Sequence, residues 1–335
     1  MKQLIVTCLP SFYKNLAFNS IAEKSDLKVF FTYDSKIQRT GDFFRYALSD
    51  KNIVAKAGFF KNLRKLYIES KRVDFVVLGG WDDIYFWFLR LVVPKRKLKL
   101  IVESTIYEFR DSKLMTPLKR FFVSGFSECI VSGQPHLKLM ERLGFNGKTK
   151  ISKGVGVLDF DYAPKLKTRP LEVVNFLYVG RVSEDKGLDL LLAFFSKNPK
   201  FKLTLVGTIE EDKYHQIIDN MPNVSFLGYK NRLELREVYE VNDVFLLASK
   251  METWGLVIEE ALYHGLPVLV SDKVGCNEDL VKSYHVGQIF ALDNLDSFTQ
   301  KIEIMTDVDQ YEMLCKNIGL INFKEISENY INCFL

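Results

Sequence analysis

Met251-Glu252-Thr253-Trp254-Gly255-Leu256-Val257-Ile258-Glu259-Glu260-Ala261-Leu262 follows an apolar run over 244–248 and precedes Gly265, Pro267 and a second apolar run ending at Ser271. Short apolar runs bounded in this way read as strands covered on both faces of a parallel sheet. Gly255 opens a helix over 256–264, Gly265 supplies its stop, and Pro267 opens the next strand. This strand–loop–helix–strand unit decides the fold class, which is α/β. Ligands of such sheets bind beyond the carboxyl ends of the strands. Glu252, in the loop, and Glu260, eight positions on, are therefore the first candidates for chemistry. Helical spacing puts Glu260 on one face with Leu256 and Val257, the expected core-facing side, where a carboxylate needs a polar partner. A helix-capping Glu252 and a salt-bridged Glu260 are the purely structural alternatives.

The same alternation extends in both directions. Further strands are predicted at 173–179, 201–206, 224–227 and 286–290, with helices over 186–197, 212–220 and 232–240. The loop Gly180-Arg181-Val182-Ser183-Glu184-Asp185-Lys186-Gly187 directly follows the first of these strands. Its glycine allows a sharp turn, and two cations beside a helix N-terminus make an anion site. Solvated charges on an ordinary loop are the bland alternative. In the first half, strands are predicted at 4–9, 27–32, 75–78, 98–102 and 128–132. A helix over 59–72 carries Phe59, Phe60, Leu63, Leu66 and Tyr67 on one face. The polar stretch 159–170, with two prolines, reads as a linker. A chain of 335 residues is long enough for two domains. They are expected at 1–165 and 172–320, with a final helix over 322–334 packing back on the first.

Composition narrows the function classes. Hydrophobic residues at 47% supply two cores, and the most apolar stretch, 74–94, is broken by Asp82, Asp83 and Arg90, so no membrane span is expected. The opening MKQLIVTCLP reads as a first strand rather than a signal peptide. Cysteines at 8, 129, 276, 315 and 333 are scattered without C-x-x-C spacing, and histidines at 136, 215, 264 and 285 form no ligand-spaced cluster. Reduced cytoplasmic thiols are expected, without zinc or a disulfide framework. The net charge of +4 hides a split: residues 1–168 hold 30 Lys and Arg against 16 Asp and Glu, the remainder 16 against 26. A basic half points to an anionic partner, nucleic acid or acidic lipid.

The ordered set G-R-V-S-E-D-K-G, L-V-G, F-L-G-Y, E-T-W-G-L-V-I-E-E-A-L and G-L-P-V-L-V-S-D, within 173–281, resembles family 4 glycosyltransferases of the GT-B fold. Glu252-x7-Glu260 is similar to that family's paired-glutamate motif. Leu9-Pro10-Ser11-Phe12-Tyr13-Lys14, Val77-Leu78-Gly79-Gly80-Trp81 and Val102-Glu103-Ser104-Thr105 look like a subgroup that builds bacterial surface polysaccharides. The resemblance implies two Rossmann-like domains facing across a cleft and a retaining hexosyltransferase. A nucleotide-diphosphate sugar, of UDP or GDP type, is the donor substrate, and neither cofactor nor metal is required. Arg181 and Lys186 would neutralise the donor diphosphate, and Thr253, Trp254, Gly255 and Leu256 would bind it through main chain. Glu252 would grip the transferred sugar and Glu260 the ribose. Gly180, Gly207, Gly228 and Tyr229 would complete the donor pocket. Two cations and a helix dipole can replace a divalent ion.

Two departures stand out. Pro10-Ser11-Phe12-Tyr13-Lys14 replaces the glycine-rich loop of many members, and Glu103 stands where many have histidine. Tyr13, Lys14, Trp81 and Glu103 are assigned to the acceptor, expected to be a lipid-linked saccharide. Asp159-Phe160-Asp161 and Asp307-Val308-Asp309 mimic a metal-binding D-x-D but read as surface acids. A nucleotide-sugar epimerase of the same fold and a non-catalytic sugar-nucleotide-binding subunit are the rival readings. No G-x-G-x-x-G follows a strand, which disfavours a dinucleotide oxidoreductase, and no nucleic-acid motif accompanies the basic half. Lys61, Arg64, Lys65, Lys71 and Arg72 beside the apolar face of 59–72, with Lys95-Arg96-Lys97, Lys99 and Lys119-Arg120-Phe121-Phe122, suit an anionic membrane. The expected location is peripheral, on the inner face of the cytoplasmic membrane.

Overall fold

The computed structural model describes residues 1–33, 47–155, 164, 167, 172 and 174–335. The expected linker and Asp159-Phe160-Asp161 fall largely or wholly outside these described residues. The chain divides into two compact units, Met1–Leu158 with Lys324–Leu335, and Asp159–Phe323.

In the first unit the described elements are β1 (Lys2–Thr7), α1 (Phe12–Lys24), β2 (Asp26–Phe31), α2 (Phe59–Arg72), β3 (Phe75–Leu78), α3 (Ile84–Val92), β4 (Leu98–Val102), α4 (Met115–Val123), β5 (Glu128–Val131), α5 (Gln134–Arg142) and β6 (Lys148–Ile151). All pairings are parallel, in the order β2-β1-β3-β4-β5-β6, with Ile5 opposite Val29 on one side and Val77 on the other. Leu4, Val6, Val76, Leu78, Leu98 and Leu100 build the core with Phe86 and Phe122. Each such side chain stabilises by about 1.5–3 kcal/mol.

The second unit runs β7 (Asn175–Val179), α6 (Leu188–Lys197), β8 (Lys202–Val206), α7 (Lys213–Asp219), β9 (Val224–Phe226), α8 (Arg232–Val241), β10 (Val244–Leu247), α9 (Leu256–Tyr263), β11 (Val268–Ser271), a π-helical turn (Asn277–Lys282), β12 (Gly287–Phe290), α10 (Leu295–Thr306) and α11 (Val308–Ile318). Its sheet is also parallel, in the order β12-β11-β10-β7-β8-β9. Phe298 seats its ring against Phe194 at 5.1 Å and Phe290 at 4.9 Å, so α10 closes over the sheet on an aromatic cluster. Asp307 caps α11 by accepting from the Gln310 N–H at 2.9 Å, and Asp309 is exposed in its first turn.

A last helix, α12 (Phe323–Phe334), counts with the first unit beyond its opening residue. It buries Ile326, Tyr330, Ile331, Cys333 and Phe334. Asn329 Nδ2 donates to the Ser152 carbonyl at 2.7 Å and Lys150 Nζ to that of Cys333 at 3.0 Å.

One expectation about a helix face, that of α9, is corrected. On α2 the buried stripe is Asn62, Leu66 and Ser70, while Phe59, Phe60 and Tyr67 are exposed and Leu63 is half-buried. Asn62 can face inward because its amide is satisfied by Ala57 N–H at 2.8 Å, the Ala57 carbonyl at 3.1 Å and Tyr85 OH at 3.0 Å. On α9 the core side is Ile258, Glu259, Ala261 and Leu262; Leu256, Val257 and Glu260 are half-buried. The buried carboxylate of that helix is Glu259, satisfied by the Trp254 indole N–H.

Candidate active site

In the second sheet the strand order reverses between β7 and β10, the place where open α/β sheets hold ligands. The loops after the strands are knitted together there. Gly180 N–H donates to Val206 O at 2.9 Å, Val182 N–H to Thr208 O at 2.8 Å, and Gly207 N–H to Gly228 O at 3.0 Å. The pairing of β7, β8 and β9 thus continues past their ends. On the other side Glu252 N–H donates to Lys273 O at 3.1 Å, and Gly275 N–H to Glu252 O at 2.9 Å.

Gly187 ties the two halves of this rim. It adopts φ 74°, and a Cβ there would lie 2.0 Å from the Ala248 carbonyl oxygen, so only glycine lets the first loop rest on the end of β10. Lys250 N–H donates to Asp185 O at 2.8 Å across the same seam. This close approach carries Lys186 to Glu252: Nζ and Oε2 are 2.5 Å apart, with both side chains mostly shielded from solvent. Beneath the pair, Tyr178 OH donates to Arg181 O at 2.6 Å. Burial, then the charge of Glu252, pushes that phenol well above its ordinary range.

Arg181 takes a different partner. Its guanidinium pairs with Glu210 at 2.8 Å, and both side chains are about half exposed. An outer belt of charge surrounds it, with Lys250 on Glu184 at 2.6 Å and Lys213 within 3.6 Å of Glu184, Asp189 and Glu211. The structure therefore brings Lys186 and Glu252 into contact, while Arg181 stands at the open edge of the same loop.

Glu260 projects from the second turn of α9. Tyr239 OH donates to its Oε2 at 3.5 Å. Burial raises the carboxyl's pKa, and neighbouring Arg232 and the Tyr239 hydrogen bond only partly offset it. Tyr239 in turn stacks flat on His264, ring centres 4.6 Å apart. Tyr229 and Gly228 follow β9, with Tyr229 exposed and Gly228 at φ 67°. Thr253 is half-buried, and the side chain of Trp254 is turned into the core, so its part in any ligand contact is limited to main chain. Gly255, at φ 100°, precedes α9.

Sequence reasoning missed Glu259, Arg232, Tyr239 and Glu210. The one available signal was Glu259 itself, a second carboxylate in an otherwise apolar helix.

In the first unit the sheet reverses between β1 and β3. Lys14, in the first turn of α1, is buried, and its Nζ lies 2.8 Å from Glu103 Oε1 and 3.2 Å from Thr7 Oγ1. Burial alone would lower the ammonium's pKa, but Glu103 outweighs it and the net shift is upward. The Tyr13 ring centre is 6.0 Å from Lys14 Nζ. Tyr330 of α12 lies in the field of Glu103, Tyr13 and Lys14, and burial followed by the Glu103 charge pushes its phenol up. Trp81 makes other contacts: its carbonyl accepts from the Trp87 indole at 2.8 Å, and Lys119 Nζ sits 5.2 Å from its ring centre. Three of the four residues assigned to the acceptor thus cluster, joined by Thr7 and Tyr330. Among the described residues no cluster of His, Cys, Asp and Glu could hold a metal ion.

Comparison with known proteins agrees with this fold. Residues 165–318 match the family described as Glycosyl transferases group 1. An uncharacterized 41.2 kDa protein in the cps region of Klebsiella pneumoniae is 23% identical over 84% of this chain and 80% of its own. The Escherichia coli O-antigen biosynthesis glycosyltransferase WbnH is 27% identical over 81% of this chain and 78% of its own. Among solved structures, Anabaena Alr3699/HepE in complex with UDP and glucose superposes with a TM-score of 0.71 at 16% identity, over 98% of each chain. At that identity the likeness is one of fold, and the fold is GT-B. The second unit is thus similar to group 1 of the glycosyl transferases over residues 165–318, and the whole chain shares the GT-B fold.

Proposed function

We propose that the protein transfers a hexose from a nucleotide-diphosphate sugar to a lipid-linked saccharide during assembly of a cell-surface polysaccharide, with retention of anomeric configuration and without a metal ion. The observation that carries this reading is the Lys186–Glu252 pair at the switch point of the second sheet. An ammonium has three donors, so Lys186 can hold Glu252 and a phosphate oxygen together. Arg181 would add a second cation to the diphosphate leaving group, and main-chain N–H groups from Gly255 onward would complete its cradle. Glu252 would accept from sugar hydroxyls and Glu260 from the ribose, while Gly180, Gly207, Gly228 and Tyr229 would frame the rest of the donor. The departing phosphate would take the acceptor's proton. The O-antigen role of one relative and the cps location of another support the polysaccharide context.

A thermal-shift panel of UDP and GDP sugars tests the donor, because a ligand that binds the native state raises its melting temperature by mass action. The stabilising sugar nucleotide is then incubated with and without a lipid-linked saccharide. Turnover that needs the acceptor supports transfer; conversion of the donor alone supports an epimerase, and binding without turnover a non-catalytic subunit.

The same reading includes docking on an anionic membrane through the first unit. No helix among the described residues is long and apolar enough to cross a bilayer. Instead α2, α3 and α4 form one continuous layer. Phe59 of α2 packs on Tyr85 of α3 at 5.6 Å, and Arg90 of α3 donates to the carbonyls of Phe122 and Phe121 of α4 at 2.8 and 3.1 Å. This layer exposes Phe60 (82%), Leu91 (65%), Ile84, Met115, Leu118 and Phe121, with Leu114 (83%) at its edge. Lysines and arginines of α2 and α4 flank these apolar groups, a combination suited to an acidic lipid surface.

A further inference from the structure

Glu259 stands in the first turn of α9 and is 3% exposed, on the same buried side as Ile258, Ala261 and Leu262. A carboxylate is costly there unless it is hydrogen-bonded, whereas an apolar side chain would be at home. Its Oε1 accepts from the indole N–H of Trp254, which is itself 4% exposed. The pair therefore spends burial on a polar contact between the helix and the loop that leads into it.

That loop is the one that faces the donor. Trp254 has Glu252 and Thr253 before it and Gly255, at φ 100°, after it. Main chain holds its other side. Cys276 N–H donates to Trp254 O at 3.1 Å, beside the Gly275–Glu252 bond at 2.9 Å. A Cβ at Gly275 would stand 1.7 Å from Thr253 O, so the loop after β11 presses directly on this segment. Trp254 is thus fixed at its carbonyl by the loop after β11 and at its ring by α9. The N–H groups of 253–256, and Glu252 with its bond to Lys186, take their places from it.

We infer that Glu259 is a positioning residue: acting through the Trp254 indole, it fixes the main chain of 253–256 and Glu252 at the sugar-side phosphate of the donor, and so makes the second unit prefer a nucleoside diphosphate to a monophosphate. The assignment rests on the sugar-transfer reading. It adds a residue that touches no substrate. With Glu260 at the ribose and Glu252 at the sugar, the phosphate next to the sugar is the one that this segment meets, and a monophosphate lacks it.

The test is calorimetric titration of the full chain with UDP, UMP, GDP and GMP, with melting curves and transfer rates alongside. The unaltered chain should bind one diphosphate at least about tenfold more tightly than its monophosphate. Trp254→Phe with Glu259→Leu removes both partners and the buried charge, so it should fold and melt near the unaltered chain. Its diphosphate preference should nevertheless fall about tenfold, and its transfer rate by at least as much, while monophosphate affinity holds. Trp254→Phe alone should lose the same preference and keeps the test open if the double variant does not fold. Glu259→Gln, whose amide oxygen still accepts from the indole, should keep most of it. Unchanged preference in Trp254→Phe, equal weakening of monophosphate and diphosphate, or a Glu259→Gln as impaired as Trp254→Phe would each overturn the role of Glu259. These outcomes, with the preference intact in the unaltered chain, remove this inference alone. An unaltered chain that binds no diphosphate removes the sugar-transfer reading itself.

Discussion

Lys186 and Glu252, 66 positions apart in the chain, close an ion pair of 2.5 Å at the point where the second sheet reverses its strand order. Because each holds the other, neither is an independent contact. Lys186→Ala should slow sugar transfer by roughly 10²–10³, the usual loss for one electrostatic contact to developing charge. The double variant with Glu252→Gln should be far less impaired than the product of the two singles. Steady-state rates for the four proteins in this cycle decide it, and multiplicative losses would separate the two roles.

Arg181, paired with half-exposed Glu210 at the open edge of the site, has no such constraint. Arg181→Ala should also cost about 10² in rate, with no change in melting temperature, since a solvent-exposed pair contributes little to stability. Near-full activity of that variant would remove Arg181 from the diphosphate site.

Glu260 offers a trade between stability and binding. Its carboxyl titrates above the ordinary value because burial disfavours the charge. A raised folded pKa means that the native state binds the proton more tightly than the unfolded chain, so stability falls as pH rises through the carboxylate range. Glu260→Gln should therefore raise the melting temperature of the ligand-free protein at neutral pH. The same change should weaken free nucleotide diphosphate, while Glu252→Gln leaves nucleotide affinity nearly unchanged. Calorimetry with and without UDP and GDP reads both effects.

His136 and His264 give a separate acid window. Burial lowers each from 6.5 to about 4, so the unfolded chain takes up the protons first. Their contribution to stability is fully present above pH 6.5 and is lost as pH falls from there toward 4. Urea unfolding at pH 7, 6 and 5 should show this decline, and His136→Gln with His264→Phe should make it shallower.

Membrane docking predicts flotation of the protein with anionic vesicles at low salt and its release at high salt. Phe60→Ser with Leu114→Ser should lower the bound fraction at low salt without changing turnover of soluble acceptors. Failure of the unaltered protein to float would leave a basic flank without a lipid role.

The fold was legible because parallel strands covered on both faces are continuous apolar runs, and β3 and β4 were read to the residue. β6, Lys148-Thr149-Lys150-Ile151, carries no such signal. It is an edge strand, and Lys150 turns toward Glu128 and the Cys333 carbonyl. Helix faces were harder. Satisfied polar groups such as Asn62 and Glu259 can occupy the core, and periodicity alone assigns them to solvent. The Lys186–Glu252 and Lys14–Glu103 contacts were beyond sequence reasoning, because each joins segments that only the strand order brings together.

The first unit is discontinuous in the chain, since α12 supplies buried Tyr330, Ile331 and Phe334 from beyond residue 323. On a ribosome, Met1–Leu158 emerges with part of its own hydrophobic core still unmade. At about 5–20 residues per second, residues 159–323 take roughly 10–30 s to synthesise before the missing helix follows. Throughout that interval the first unit's future α12 groove stays open to solvent and chaperones. The half of the chain that is translated first thus completes its core only when α12 arrives.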